Sequence, residues 1–354
     1  MLKLILALLA LLSPAIAAAG PWPVEEGDVT LNNFAFKSGE TMAAVRVHYS
    51  TLGKPRRGAN GEIDNAIMIL HGTGGSGGQF LSPQFADELY GPGQPLDINR
   101  YYIILPDSIG HGKSSKPSDG LRMAFPKYDY DDMVAVQYRL LTEGLGIKRL
   151  QLILGTSMGC MHAFVWGETY PGFATRLAPF ACLPIEIAGR NRAWRKMGID
   201  AVKADPLWQG GNYISPPVQG LRTMASLQLV AGANTLALQA TYPTREKAEA
   251  YVDAALPGLI NRDANDLIYQ FDSSRHYNPW PSLEKVIVPV LWINSGDDFI
   301  NPSDYGFAAQ AVKRMKQARY ILLPASIETK GHGTHSWAKF WKADLAKLLA
   351  AKGN

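Results

Sequence analysis

The chain has 354 residues, 47% of them hydrophobic, and a formal net charge of +4. That is enough apolar material for one large core. The weak charge and the lack of a Lys/Arg run give no nucleic acid a footprint.

The N-terminus reads as an export signal over residues 1–19. Lys3 supplies the positive end, residues 4–12 are apolar, and Ala17-Ala18-Ala19 offers a cleavage site. The apolar run is short for a spanning helix, and no other segment reads as transmembrane. The expectation is a periplasmic or secreted protein with no stable membrane span.

Past the leader, short apolar runs alternate with helical patterns. Strands are expected at 29–36, 43–51, 66–70, 101–106, 150–154, 177–183, 288–294 and 320–323. The later runs are continuously apolar, as parallel strands covered on both faces should be. No helix separates the first two, which predicts an antiparallel edge pair. Helical periodicity marks 131–145, 156–169, 303–317 and 336–351; Met133, Val136 and Leu140 share one face. Strand-then-helix repetition means an α/β fold with a mostly parallel, eight-stranded sheet. Residues 186–280 break the rhythm, with helix formers, aromatics and the breaks Gly210-Gly211 and Pro216-Pro217. An interval this long is not a loop. It reads as a helical cap inserted into a core of residues 20–185 and 281–354. Trp194, Trp208, Tyr213 and Trp280 either wall a pocket or form the cap's own core.

The run Leu152-Ile153-Leu154 ends in Gly155-Thr156-Ser157-Met158-Gly159, and a helix-forming stretch follows. This is G-x-S-x-G in strand–turn–helix context, where a tight turn lifts a nucleophilic serine clear of the sheet. A serine hydroxyl is weakly nucleophilic and needs a base, which in turn needs an orienting acid. Both follow in the expected chain order. Asp297-Asp298 comes after the run 288–294, where open α/β sheets carry their sites. Asp298, four residues before Pro302, is favoured over Asp297, and Glu186 is a distant third. His332 and His335 come after the run 320–323; His332, next to Gly331, is favoured. His111 and His162 read as structural.

Acyl transfer also needs backbone donors waiting for the oxyanion. Met158 follows the serine and supplies one. The glycine-rich turn Gly72-Thr73-Gly74-Gly75 after the third strand supplies the other, assigned to Thr73. That turn lacks the Gly-Lys-Ser/Thr ending of a phosphate loop. His332-x-x-His335 with Asp297-Asp298 is the one alternative metal set, but there is no H-E-x-x-H helix and no Cys/His quartet. No metal or cofactor is expected. The partner is a small-molecule acyl substrate. Cys160 and Cys182 follow strands expected to be neighbours, so a disulfide and two buried thiols both fit.

These residues resemble the α/β-hydrolase superfamily, in its homoserine O-acetyltransferase-like branch. The likeness runs through Tyr49-Ser50-Thr51-Leu52-Gly53, His71-Gly72, the serine turn, Asp298 and Gly331-His332. In the cap it includes Asp205-Pro206-Leu207-Trp208-Gln209-Gly210-Gly211-Asn212-Tyr213 and Gly220-Leu221. The resemblance implies an α/β-hydrolase fold and a triad of Ser157, Asp298 and His332. This chain departs from the family elsewhere in the cap. An Arg and a Tyr of the family fall on Ala225 and Gly232, and a Thr-Arg pair falls on Phe271-Asp272. The expectation is an exported serine hydrolase acting on an ester, thioester or amide through an acyl-enzyme. The alternative is an acyltransferase of the homoserine O-acetyltransferase type.

Overall fold

The computed structural model describes residues 22–351. The export signal assigned to residues 1–19 lies outside them. The strands are β1 (Glu25–Ala35), β2 (Thr41–Leu52), β3 (Ala66–Leu70), β4 (Tyr102–Pro106), β5 (Leu152–Thr156), β6 (Leu177–Phe180), β7 (Val290–Ser295) and β8 (Ala318–Leu323). The helices are α1 (Pro83–Leu89), α2 (Tyr130–Arg139), α3 (Met158–Thr169), α4 (Gly189–Ala204), α5 (Val218–Gly232), α6 (Thr235–Thr241), α7 (Arg245–Leu259), α8 (Ala264–Asp272), α9 (Phe307–Arg314) and α10 (Lys342–Ala350).

All eight strands form one sheet in the order β1-β2-β4-β3-β5-β6-β7-β8. The β1–β2 and β2–β4 pairs are antiparallel, and every other pair is parallel. The central strands are apolar throughout because both faces are covered. On β3, Met68 and Leu70 enter one core cluster while Ile67 and Ile69 enter the other. Side chains alternate across a strand, so a strand buried on both sides cannot alternate in polarity. Helices α2 and α3 cover one face, and α1 and α10 the other.

Element ends have local causes. The Asp129 side chain accepts from the Asp131 and Asp132 N–H groups, and Asp132 reaches back to the Asp129 N–H, closing a capping box at the start of α2. The expected helix 131–145 ends as an α-helix at Arg139 and widens into a π-type turn over Leu140–Gly144. The strand expected over 177–183 stops at Phe180, because Ala181 takes φ 66° and swings the chain off the sheet. The last helix starts at Lys342, since short 3-10 turns occupy Gly331–Ser336 and Ala338–Phe340.

Cys160, on the first turn of α3, is disulfide-bonded to Cys182, just past β6, with Cα atoms 5.8 Å apart. Of the two states left open by the sequence, the structure takes the bridge. It closes a segment of 22 residues.

Between β6 and β7 lie five helices, α4 to α8, with a core of their own: Trp194, Val202, Leu221, Met224, Ile268 and Phe271. Trp208 and Tyr213 pack against that core. Trp280 does not; it lies against the main core beside Phe307. No helix among the described residues is long and apolar enough to cross a membrane.

Candidate active site

β5 ends at Thr156 and α3 begins at Met158, leaving Ser157 as the whole turn. Ser157 has φ 54° and ψ −110°, a conformation L-residues avoid. The surroundings hold it there. The Ser157 N–H donates to Phe180 O at 2.9 Å, and the Gly159 N–H to His71 O at 3.0 Å. A Cβ at Gly155 would collide with Gly159 O, and one at Gly159 with Leu70 O. Only glycines allow the reversal to be this tight.

The loops after β7 and β8 bring the other two groups to the serine. His332 Nε2 lies 2.8 Å from Ser157 Oγ. His332 Nδ1 lies 2.8 Å from Asp298 Oδ2. Asp298 is almost fully buried. Its Oδ1 accepts from the Ile300 N–H at 2.8 Å and the Asn301 N–H at 3.1 Å, and its Oδ2 accepts from Asn301 Nδ2 at 3.1 Å. Burial alone would raise its pKa; the His332 ring and the donors from Asn301 outweigh that and hold it below the ordinary carboxylate value.

Of the two adjacent acids, Asp297 faces away from the imidazole. It accepts from Thr329 Oγ1 at 2.8 Å and from the Gly331 N–H at 3.0 Å. It therefore holds the loop that carries His332. The cap grips the same loop: Asn234 Nδ2 donates to Ser326 O at 2.8 Å and also to Thr329 O. His335 has no contact with Ser157. Its Nδ1 pairs with Ser336 Oγ at 3.0 Å, and burial, followed by the neighbouring His332, pushes its pKa down to about 3. It is a neutral packing residue. Glu186, the third candidate acid, has no hydrogen bond to His332.

Thr73 lies next to Gly72 in the turn that approaches Ser157, and Met158 opens α3 directly after the serine. Gly72 packs on the serine: a Cβ there would sit 3.8 Å from Ser157 Oγ. Among the described residues, neither the Thr73 nor the Met158 N–H has a protein acceptor. The loop is held from behind. His71 Nδ1 pairs with Gly72 O at 2.9 Å, and its Nε2 accepts the Ser108 N–H at 3.0 Å. Gln79 Nε2 donates to Thr156 Oγ1 at 3.2 Å. His71, His111 and His162 are all buried, and desolvation pushes each pKa down. His71 braces the glycine turn, and the His111 ring lies against the His71 ring, centroids 5.0 Å apart. Asn301, Asn234, Gln79 and the loop-holding role of Asp297 went unread in the sequence; Asn three residues after Asp298 was the one local signal.

Residues 65–325 match the family model described as alpha/beta hydrolase fold. A homoserine O-acetyltransferase of Carboxydothermus hydrogenoformans is 30% identical over 347 residues, covering 84% of this chain and 88% of that protein. The chain belongs to the α/β-hydrolase fold family. Within that family it lies in the homoserine O-acetyltransferase-like branch. Two solved α/β hydrolases share the fold. The homoserine O-acetyltransferase of Bacillus anthracis superposes with a TM-score of 0.82 at 22% identity, over 94% of this chain and 99% of that one. An acetylester hydrolase from Corynebacterium glutamicum gives 0.80 at 21%, over 92% and 96%.

The cap string 205–213 makes a joint. Asp205 accepts from the Leu207 and Gly220 N–H groups, each at 3.0 Å, and Gln209 takes φ 49°. The cap positions singled out in the sequence have structural occupants. Ala225 and Phe271 are buried in the cap, and Asp272 pairs with Arg192 at 3.0 Å and Arg275 at 3.1 Å.

Proposed function

We propose that the protein transfers an acyl group through an ester on Ser157, with an alcohol as acceptor in the manner of its homoserine acyltransferase relatives. The observation that carries the reading is the Ser157–His332–Asp298 line, two successive contacts of 2.8 Å, beside the glycine turn that packs on Ser157. In the first half-reaction Ser157 Oγ attacks the carbonyl carbon of the donor ester or thioester. His332 Nε2 takes the hydroxyl proton, and Asp298 stabilises the imidazolium. The oxyanion is held by the Thr73 and Met158 N–H groups, each such donor contributing about 3 kcal/mol. Collapse expels the leaving group, which takes the proton from His332. In the second half-reaction His332 deprotonates the acceptor, whose oxygen attacks the acyl-enzyme; collapse breaks the bond to Ser157 Oγ, which takes the proton back from His332.

A second reading keeps every residue and makes water the acceptor. It is favoured by the cap, where Ala225 and Gly232 stand in place of the branch's Arg and Tyr. Export belongs with this reading: the leader at 1–19 and the Cys160–Cys182 disulfide both suit an oxidising compartment.

The test is acyl partitioning. Protein is given 4-nitrophenyl acetate with and without millimolar homoserine or a simple alcohol, and the acylated alcohol and free acetate are both measured. Product ester in excess of acetate supports transfer; acetate alone supports hydrolysis. If a fluorophosphonate labels Ser157→Ala as well as it labels the wild type, the serine is not the nucleophile and both readings fall. Localisation is read separately, by fractionating cells that express the full chain.

A further inference from the structure

We propose that Arg262 is an anchor for a carboxylate on the substrate of this site; the proposal rests on the acyl-transfer reading above. Arg262 comes from the cap, one residue before the Asp263 that caps α8. Its side chain reaches the oxyanion loop. Nη2 donates to Gly74 O at 2.9 Å and to Gln270 Oε1 at 3.0 Å. Gln270 is itself oriented, since its Nε2 donates to Gly110 O at 2.8 Å. The guanidinium lies directly on the Gly74 backbone, where a Cβ would collide with Cζ and both terminal nitrogens.

Both hydrogens of Nη2 are used by these two bonds. Nη1 and Nε have no acceptor in the protein and are open to solvent. No carboxylate forms an ion pair with it, although the charge of Asp266 acts on it through space. Asp266, one turn along, is engaged with the Ser118 N–H at 2.9 Å and Ser118 Oγ at 2.7 Å. The other cap arginines differ. Arg192 and Arg275 pair with Asp272. Arg195 also lacks a carboxylate, but it is sealed at 2% exposure and out of a ligand's reach. Arg190 is also held, over the Phe299 ring with a bond to Phe299 O, but it sits away from the oxyanion loop; Arg262 combines a fixed guanidinium and free donors with contact to that loop. An arginine always carries its proton, so a half-buried one with unused donors and no ion pair attracts an anion, and its planar donors fit a carboxylate.

The distance sets the size of the ligand. Gly72 touches Ser157, and the turn Gly72–Gly75 is closed by the Gly75 N–H to Gly72 O at 3.0 Å. From residue spacing, the guanidinium is at most about 15 Å from Ser157 Oγ. Allowing about 3 Å for contact at each end leaves at most about 9 Å between carbonyl carbon and carboxylate, a chain of roughly seven bonds. The ligand class is a short acyl ester with a carboxylate on one end. That carboxylate belongs to the acyl chain, as in a dicarboxylate half-ester, or to the alcohol, as in an O-acyl hydroxy acid.

The experiment compares kcat/KM on three probes for wild type, Arg262→Met and Arg262→Lys. The probes are 4-nitrophenyl acetate, the 4-nitrophenyl half-ester of succinic acid and O-acetylglycolate. The expected result is that Arg262→Met lowers the ratio of one charged ester to the neutral ester by about 20-fold or more, and that Arg262→Lys restores part of it. The ester whose ratio falls identifies the source of the carboxylate. Equal losses on all three esters leave the ratio unchanged and overturn the proposal, because they mean that Arg262 only braces Gly74. Should the wild type turn over none of the probes, the acyl-transfer reading fails by itself. Binding of monomethyl succinate and O-acetylglycolate to Ser157→Ala, followed by calorimetry, then decides. Binding lost on adding Arg262→Met supports the anchor. Binding of neither ligand, or binding that survives the change, overturns it.

Discussion

Replacing Asp298 with Asn tests the assignment of the acid more sharply than deleting it. The amide is the same size, so Oδ1 can keep its bonds from the Ile300 and Asn301 N–H groups, at 2.8 and 3.1 Å. The other oxygen becomes an NH2 group facing two donors, His332 Nδ1 at 2.8 Å and Asn301 Nδ2 at 3.1 Å. Asn301 is pinned by its bond to Ala181 O at 3.0 Å, so His332 must yield. It does so by carrying its proton on Nε2, the nitrogen that has to accept from Ser157. The imidazolium of the transition state also loses its counter-charge. Two charges centred about 4 Å apart, at an effective dielectric of about 20, interact by about 4 kcal/mol, or about a thousandfold in rate. The expected result in Asp298→Asn is therefore a fall in kcat of about 10³ to 10⁴, with the fold retained. Asp297→Asn weakens two bonds that the carboxylate accepts from the His332 loop, by about 1 kcal/mol each, and should cost at most about thirtyfold. The assay is steady-state turnover of a 4-nitrophenyl ester, with circular dichroism on each variant. A greater loss in Asp297→Asn than in Asp298→Asn would refute the reasoning.

Four further predictions concern stability and the base. His332→Gln should abolish turnover while His335→Gln retains it within about tenfold. Because the folded His335 pKa is near 3 and the unfolded value near 6.5, the unfolded chain binds the extra proton between them, and stability falls as pH drops through that range. His335→Gln should flatten that fall in a melting series. Glu168 has the opposite sign: burial, then the charge of Asp131, raises its pKa to about 7 from 4.5, so the folded state holds the proton and stability declines as pH rises between those values. Glu168→Gln should remove that decline; an unaltered pH profile would show that the carboxyl is solvated. Replacing Cys160 and Cys182 together with Ser should cost about 3 kcal/mol in urea unfolding, from the entropy of a loop whose ends are 22 positions apart. A cost below about 1 kcal/mol would mean that the packing around the bridge supplies most of the order.

What was legible in the sequence follows what local chemistry controls. The strand Ala66–Leu70 was bounded correctly because a strand covered on both faces is apolar from end to end. Ser157 was legible because an elbow this tight needs glycines on both sides. Adjacent Asp297 and Asp298 were separable only by their spacing to Pro302, and their division of labour was not: one bonds His332, the other the backbone leading to it. The remaining supports are held by partners distant in sequence. Asn301 meets Ala181 across 120 positions, Asn234 meets Ser326 across 92, and Arg262 meets Gly74 across 188. No window along the chain brings such groups together, and an asparagine or arginine reads as ordinary surface until the fold is known. Helix ends failed for a different reason. Apolar periodicity continues through 131–145, but the backbone changes its hydrogen-bonding step at Leu140.

The Asn234 contact bears on how such an enzyme can be rebuilt. Its amide ties the exit of α5 to the strand-8 loop, so the cap does not behave as a cassette sitting on a finished catalytic floor. A chimaera that exchanged the whole interval between β6 and β7 would take away a support of the general base along with the pocket. A graft that keeps the Asn234 turn and replaces only what lies before it leaves that support in place. Substrate range and base alignment can then be varied independently.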